Sequence, residues 1–454
     1  MKGNAASGLC DVVVIGGGPA GSTIATLLAA RGWRVELVEK DCHPRFHIGE
    51  SLLPMNLPIL ERLGVLDQVR SIGVVKRGAE LESEFPTRRN RTFYFARAMR
   101  ADRAYAFQVR RSEFDHLLLK HSAASGVRVH EGVRVTGVDL GGPQTRLVHA
   151  EHDDGTRSTL RTRFVVDASG RDTLLGRQLG IKRRNRHHAS AAVFGHFEGA
   201  ERRAGEDEGN IGIYWFPHGW FWMIPLKDGV MSVGAVCLPE YMKTREGDLD
   251  RFLWSTIALC QGVRERMRDA RLIGKAQAEG NYSYHCAAMH GEGYLLVGDA
   301  YTFVDPLFST GVYLAMTSAS MGADAVDAWL GGSRDAAPRF AAMKRDLDRA
   351  VATLCWFIYR FNQSTMRELF LFSPRPGSAA DARYYPRIES AIVSMLAGDL
   401  FRGTPIGLPL RLFRVAYVCR RVLADPLGWW RRRTGSGGAR VGLGDAGTRG
   451  KTEF

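Results

Sequence analysis

The stretch DVVVIGGGPAG, residues 11–21, joins a short apolar run to a glycine-rich turn. The run has the length of a buried strand, and the glycines have the spacing G-x-G-x-x-G that opens the first helix of a βαβ unit. The next residues complete that unit, because residues 22–30 predict a helix closed by Gly32 and residues 33–39 predict a second strand ending in Glu39. The pattern predicts a dinucleotide-binding site at the turn.

Each residue of this site has an expected role. Gly16 permits the tight turn, Gly18 lets backbone N–H groups approach a pyrophosphate, and Gly21 lets the helix pack on the strand. Ala20 belongs to the same predicted cofactor-binding set. Glu39 can accept a hydrogen bond from a ribose hydroxyl, and an acid at this point argues against a 2′-phosphate.

Two later segments favour FAD over NAD as the dinucleotide. Residues 294–300, YLLVGDA, predict a strand that delivers Asp299 to a turn, where its carboxylate can accept from a ribityl or ribose hydroxyl. Residues 164–170, FVVDASG, predict another apolar strand ending in a turn. Together these segments resemble the FAD monooxygenase superfamily with its p-hydroxybenzoate-hydroxylase-like fold. The R-x-x-F-D match at residues 111–115 then implies that Arg111 lies near the flavin, and an ordinary surface arginine is the alternative.

A more specific resemblance follows at residues 44–54, PRFHIGESLLP, which are similar to the R-x-x-I-G-E-S segment of flavin-dependent halogenases. In that family the segment forms a loop over the flavin, which implies cofactor contacts for Arg45 and Ser51. Lys76 follows in the register of the lysine that halogenases place between flavin pocket and substrate. Its ammonium is expected to hydrogen-bond hypohalous acid, or to become a haloamine, so Lys76 is the predicted catalytic residue.

The segment W-x-W-x-I-P supplies Trp220, Trp222, Ile224 and Pro225. The resemblance implies that these residues form a wall between flavin and substrate, so that activated oxygen reaches a small anion rather than the organic ring. Core packing in an alternating strand is the alternative for the two tryptophans alone.

Residues 303–312, FVDPLFSTGV, resemble the halide-binding run of the family. The resemblance implies that the backbone N–H groups of Thr310 and Gly311 hold chloride or bromide. A long helix is predicted from about residue 312 to residue 330, and a helix N-terminus favours a desolvated anion. A simple N-cap at Ser309 and Thr310 is the alternative, and it is compatible with halide binding.

One departure bears on the substrate. Tryptophan halogenases carry a glutamate two residues before the threonine of this run, where the present chain has Phe308. The run looks instead like that of halogenases acting on phenols and pyrroles, including carrier-protein-bound ones. Free tryptophan is therefore the less expected substrate.

Composition and charge limit the remaining possibilities. The chain has 454 residues and a formal net charge of +14, and no RRM, KH, zinc-finger or helix-turn-helix pattern accompanies the charge. No nucleic-acid partner is therefore expected. The first residues lack an apolar signal region, which predicts a cytoplasmic protein. The seven cysteines are scattered without a C-x-x-C pair, which predicts reduced, mostly buried thiols and no metal site.

The expected fold class is α/β, with a Rossmann-like FAD-binding domain of the p-hydroxybenzoate-hydroxylase type, an inserted β-sheet substrate domain and a helical C-terminal region. The predicted FAD-binding parts are residues 1–75, 108–185 and 285–332, the substrate sheet is 76–107 and 186–284, and the helical region with its basic tail is 333–454.

Two helices are predicted within that last region. Residues 351–372 are strongly apolar and aromatic. Residues 408–423 carry arginines beside apolar positions, which fits an anionic membrane surface, the acidic face of a carrier protein, or docking on the chain's own domain. The arginines that crowd the end of the sequence include Arg402, Arg411, Arg414, Arg420, Arg421, Arg431, Arg432, Arg433 and Arg440.

The sequence therefore predicts a halogenase that uses reduced FAD, O₂ and chloride or bromide on an electron-rich aromatic, free or bound to an acyl carrier protein. A separate flavin reductase is the expected source of reduced FAD, because no second dinucleotide fingerprint is present. The alternatives are an FAD hydroxylase or prenyl-type reductase on the same scaffold, and a non-catalytic flavin-binding protein.

Overall fold

The computed structural model describes residues 9–142, 145–374 and 379–424. Its helices are α1 Pro19–Ala29, α2 Leu57–Leu63, α3 Leu66–Ile72, α4 Arg111–Ala124, α5 Leu174–Gln178, α6 Pro239–Met242, α7 Leu249–Ala258, α8 Gln261–Arg266, α9 Thr310–Leu330, α10 Ala336–Ile358, α11 Ser364–Phe370, α12 Ala379–Leu396 and α13 Gly407–Ala424.

The strands form two large sheets and one two-stranded ribbon. The first sheet contains β1 Cys10–Ile15, β2 Val35–Val38, β7 Arg128–His130, β8 Val133–Asp139, β9 Arg146–His152, β10 Arg157–Asp167, β16 His290–Gly291 and β17 Tyr294–Leu296. The second contains β4 Gly78–Ser83, β5 Arg89–Tyr94, β11 Lys182–Glu198, β12 Ile211–Phe216, β13 Gly219–Pro225, β14 Met231–Cys237, β15 Arg271–Cys286 and β18 Thr302–Phe303. The ribbon pairs β3 Val74–Lys76 with β6 Ala106–Gln108.

The first sheet has a parallel centre in the order β17-β10-β1-β2-β7. All six residues of β1 are buried, as expected for a parallel strand covered on both faces. The glycine turn follows β1 directly, and α1 begins at Pro19, earlier than the sequence predicted, because proline suits the first helical position. The predicted α/β fold class is confirmed.

The second sheet is largely antiparallel, and β13 lies in it between β14 and β12. Side chains alternate across a strand, so Trp220, Trp222 and Ile224 share one face of β13. Phe221 and Met223 share the opposite face, where they pack in the core that includes α7. The face of the sheet opposite this core therefore presents the side chains of Trp220 and Trp222.

The predicted domain boundaries stay a proposal. Strand β3 spans the boundary between residues 75 and 76, β11 begins at Lys182 ahead of residue 186, and β15 ends at Cys286 beyond residue 284.

The C-terminal region is helical, with one correction. The predicted single helix over residues 351–372 is wrong, because α10 ends at Ile358 and α11 begins at Ser364. Between them the chain turns, with Phe361 N–H donating to Ile358 O and Gln363 N–H donating to Arg360 O. Helix α13 contains the whole predicted span 408–423, and the rest of the basic tail, residues 425–454, lies outside the described residues.

All seven cysteines are free thiols. Cys42 and Cys419 are exposed, and burial raises the pKa of the other five, which are Cys10, Cys237, Cys260, Cys286 and Cys355. Across the described ranges no group of His, Cys, Asp and Glu side chains could hold a metal ion. No helix of that part of the chain has the length and apolar character needed to cross a bilayer.

Candidate flavin and halide site

A cavity of about 870 Å³ lies between the carboxyl ends of the parallel strands and the aromatic face of the second sheet. Twelve predicted site residues line it: Gly16, Gly18, Ala20, Glu39, Arg45, Ser51, Arg111, Trp220, Trp222, Ile224, Asp299 and Gly311. Gly21, Lys76, Pro225 and Thr310 are not among its lining residues. Most of the predicted site residues, although far apart in the sequence, are thus brought to one cavity.

The glycine turn has two positions that only glycine can occupy. Gly16 has φ +103°, and a Cβ on it would lie 2.4 Å from Ala168 O. A Cβ on Gly21 would lie 1.8 Å from Gly16 O, so helix and strand could not pack as they do. Gly18 differs, because its Cβ would meet only the Arg45 Nη2 atom, at 3.7 Å. The space in front of Gly18 is therefore left for a ligand.

Glu39 follows β2 and is fixed by backbone donors. Its Oε2 accepts from Gly17 N–H at 2.5 Å and its Oε1 accepts from Asp41 N–H at 2.9 Å. An ionised carboxylate has about four lone-pair sites, so it can still accept from a sugar hydroxyl.

Arg45 places a cation beside the glycine turn. Its Nη1 donates weakly to Asp115 Oδ2 at 3.4 Å, and Asp41 Oδ2 lies 3.6 Å from its Nε. That Nε is buried and has no hydrogen-bond partner among the described residues. An unused donor on a guanidinium next to a helix N-terminus fits a pyrophosphate.

Arg111 is buried, so the alternative of a surface arginine is wrong. Its Nε and Nη2 donate to the two Asp115 oxygens at 2.7 and 2.9 Å, and its Nη1 donates to Ile48 O at 2.7 Å. These contacts hold the loop that carries Gly49, Glu50 and Ser51 against the cavity. The geometry thus gives Arg111 a loop-positioning role at the cavity wall.

Asp299 lies in the short turn after β17, at the cavity wall. Burial raises the pKa of its carboxyl to about 6, and the nearby Arg171 and Arg111 partly oppose that rise. No side-chain hydrogen bond to this carboxylate is found in the part of the chain that the structure describes. The free space at Gly18, the unused Arg45 donor and the unused Asp299 acceptor together fit FAD.

Lys76 ends β3 and is fully buried. Its Nζ donates to Ser51 Oγ at 2.8 Å and to Leu52 O at 3.1 Å, and it lies 5.4 Å from the centre of the Phe95 ring. Burial lowers the pKa of this ammonium to about 7. Because Ser51 lines the cavity and Lys76 does not, the serine stands between the lysine and the cavity.

The N-terminus of α9 opens into the same cavity. Ser309 precedes the helix in a left-handed conformation, φ 57°, and its side chain makes no capping hydrogen bond. Gly311 lines the cavity, and Thr310 Oγ1 is buried without a hydrogen-bond partner among the residues described. The first amides of the helix are therefore available to an anion.

The W-x-W-x-I-P residues divide between two faces. Trp220 and Trp222, with ring centres 6.1 Å apart, line the cavity with Ile224, and Trp222 Nε1 donates to Ser232 Oγ at 3.2 Å. Pro225 shares the face of Phe221 and Met223 instead. Pro225 therefore does not contribute its side chain to the cavity wall, and it acts there only as the last residue of β13.

Sequence reasoning missed several cavity residues. Glu50 is buried at the wall, where its Oε1 pairs with His196 Nε2 at 2.9 Å and its Oε2 has no partner in the described ranges. Phe46 stacks on Phe194 with ring centres 6.1 Å apart. Glu50 and Phe46 lie in the quoted loop and could have been named, whereas His196 and Phe194 come from β11 with no local signal.

A second cavity of about 300 Å³ lies among β5, α11, α12 and α13. Phe370 of α11 packs between this region and the segment 303–312, with its ring centre 6.0 Å from that of Phe93 and 6.4 Å from that of Phe308. Phe308 therefore faces an aromatic cluster built by the C-terminal helices.

The fold and this cavity define a flavoprotein class, since residues 9–338 match the FAD binding domain family. Within that class the chain belongs to the flavin-dependent halogenases. The solved myxobacterial chondrochloren halogenase CndH is 33% identical with a TM-score of 0.74, over 88% of this chain and 92% of that structure.

Two further relatives differ in their named substrates. The 1H-pyrrole-2-carbonyl-[peptidyl-carrier protein] chlorinase of Pseudomonas fluorescens is 29% identical over 94% of this chain and 96% of its own length. The tryptophan 2-halogenase of Chondromyces crocatus is 36% identical over 72% of this chain, and the match spans 62% of that relative.

Proposed function

We propose that this chain halogenates a phenol or pyrrole ring carried on an acyl carrier protein, using chloride or bromide, O₂ and reduced FAD from a separate reductase. The observation that carries the proposal is the buried Lys76, which meets Ser51 at the wall of a cavity whose other side holds the α9 N-terminus. This arrangement supports a mechanism in which a halide at the helix N-terminus and the amine of Lys76 act on the same halogen.

Bound reduced FAD would supply the activation of O₂ and the oxidation of the halide. The residues of this chain would control where the oxidised halogen goes. The amide of Gly311 holds the halide, while Trp220 and Trp222 keep an organic ring out of the flavin space. Lys76, with a pKa of about 7, is partly neutral at neutral pH and can hydrogen-bond hypohalous acid or take its halogen with release of water.

Phe308 supports the choice of a phenol or pyrrole. A phenylalanine cannot accept the ring proton, so the substrate needs a heteroatom that stabilises the ring cation until a weak base or water removes the proton. The full-length similarity to a chlorinase named for carrier-bound pyrrole points the same way. Free tryptophan is included among the tested substrates because a tryptophan halogenase is also a relative.

The test is intact-mass analysis after incubation in air with FAD, a flavin reductase, NADH as its reductant, and bromide. The substrates are carrier-bound pyrrole-2-carbonyl and 4-hydroxybenzoyl thioesters, the matching free acids and free tryptophan. We expect the bromine isotope pattern on a carrier-bound ring and none on tryptophan. A hydroxylated product would make the protein a hydroxylase, and unchanged substrates with FAD bound would favour a non-catalytic flavoprotein.

A further inference from the structure

We propose that the outer face of α13 docks on an anionic lipid surface. This inference does not depend on the proposed substrate. The helix is held to the protein by its inner face, where Leu410, Phe413 and Tyr417 are buried. Phe413 packs against Phe357 with ring centres 5.5 Å apart, so α13 is a firmly seated element.

The outer face of α13 is an exposed aliphatic stripe. Its members are Leu408, Leu412, Val415 and Leu423, which are 68, 43, 58 and 81% exposed. At 100° per residue they fall within an arc of about 80°. Scattered exposed leucines are ordinary on protein surfaces, but a continuous stripe on one helix marks an interaction surface.

Arginines border this stripe on both sides. Arg411 and Arg420 lie about 40° and 60° beyond its two edges on the same helical projection. The sequence of α13 contains no Asp or Glu, and Glu368 of α11 reaches the helix through its ion pair with Arg420 at 2.8 Å. Apolar residues flanked by cations match a helix lying in the plane of an anionic membrane, with guanidinium groups at the phosphates.

The sequence beyond α13 favours lipid over an acidic protein as the occupant. It continues as Asp425-Pro426-Leu427-Gly428 and then Trp429-Trp430-Arg431-Arg432-Arg433, all outside the described residues. Tryptophan is enriched at membrane interfaces, and basic clusters next to them are attracted to anionic headgroups. An acidic carrier protein is the other partner with suitable charge, and flotation with vesicles together with labelling of Cys419 distinguishes the two.

The test measures how much of the full chain, loaded with FAD, floats with vesicles. One set of vesicles contains phosphatidylcholine alone, and the other contains phosphatidylcholine mixed with phosphatidylglycerol. We expect binding that requires phosphatidylglycerol and weakens as salt is raised. Leu412→Asp should lower the partition coefficient at least about tenfold, and Arg411→Glu should lower it roughly tenfold. Leu259, which is 44% exposed on another part of the surface, provides the control Leu259→Asp, with no expected change.

Cys419 reports on the stripe directly because it projects from its centre, and the exposed Cys42 is an internal reference. Phosphatidylglycerol vesicles should slow labelling of Cys419 by a polar maleimide while leaving that of Cys42 unchanged. No flotation of the folded chain, or equal losses for Leu412→Asp and Leu259→Asp, would overturn the proposal. The proposal would also be overturned if an acidic carrier protein protected Cys419 from labelling and vesicles did not. Slow labelling of Cys419 in the absence of both vesicles and carrier protein would overturn it as well.

Discussion

At the scale of single residues, Lys76 is the group on which the proposed chemistry depends. Lys76→Met keeps most of the side-chain volume and removes the amine. We expect halogenation to fall by about 10²–10⁴-fold or more, while the dissociation constant of FAD changes little because Lys76 does not line the cavity. Product mass analysis and flavin fluorescence measure the two effects. Lys120→Met, at an exposed lysine of α4, is the control, and near wild-type halogenation by Lys76→Met would remove the lysine from the mechanism.

The same lysine predicts a pH dependence of stability. Its pKa is about 7 in the folded chain and about 10.4 when unfolded, so between these values the unfolded state binds more protons. The free energy of unfolding of the wild type, relative to Lys76→Met, should therefore rise with pH through that window. Urea unfolding at several pH values measures the difference, and a flat difference would mean that Lys76 is charged in the folded protein.

Asp299 predicts how pH affects the cofactor. If its carboxylate accepts from a hydroxyl of FAD, the ionised form binds best, and the free protein holds a proton there below a pKa of about 6. The affinity for FAD should therefore rise by up to about tenfold for each unit by which the pH increases towards 6, and should stay constant above that value. Titration of the apoprotein with FAD at several pH values from 5 to 7 measures this dependence. The variant Asp299→Asn should bind FAD weakly, with an affinity that does not change with pH in this way. An equal slope in both proteins would assign the proton to another group.

At the scale of elements, the N-terminus of α9 predicts a ranking of three variants. Gly311→Pro removes one amide donor, whereas Gly311→Ala keeps it and places its Cβ where no atom lies within 4 Å. The bromide concentration for half-maximal turnover should rise at least about tenfold for the proline variant and little for alanine. Thr310→Val should also change it little, because the lost hydroxyl makes no hydrogen bond with the described residues. A larger effect of Thr310→Val at equal FAD occupancy would move the halide away from the amides.

Elements also show what the sequence could predict. Gly16, Gly21 and the strands around them follow from local sterics, so the glycine turn was predictable from a few residues. The alternation of β13 is equally local, and it would have excluded Pro225 from the wall had it been applied to all four residues. The break between α10 and α11 and the pair Glu50–His196 depend on distant packing, which no local pattern encodes.

At the scale of the whole molecule, the distribution of thiols gives a further prediction. In the native protein an alkylating reagent should modify Cys42 and Cys419 and spare the five buried thiols, whose raised pKa values keep them protonated. Peptide mapping before and after unfolding measures the pattern. Rapid native labelling of Cys286, which is fully buried, would mean that the core opens more readily than its packing indicates.

That distribution also bears on how such a catalyst would age. An enzyme that makes a hypohalous oxidant is exposed to its own escaped product, and thiolates are the side chains that such an oxidant attacks first. Here the five buried cysteine sulfurs are held as protonated thiols, so cysteine oxidation should begin at the exposed Cys42 and Cys419. The two surface thiols would then be oxidised well before oxidation of the buried cysteines disturbs the packing of the fold.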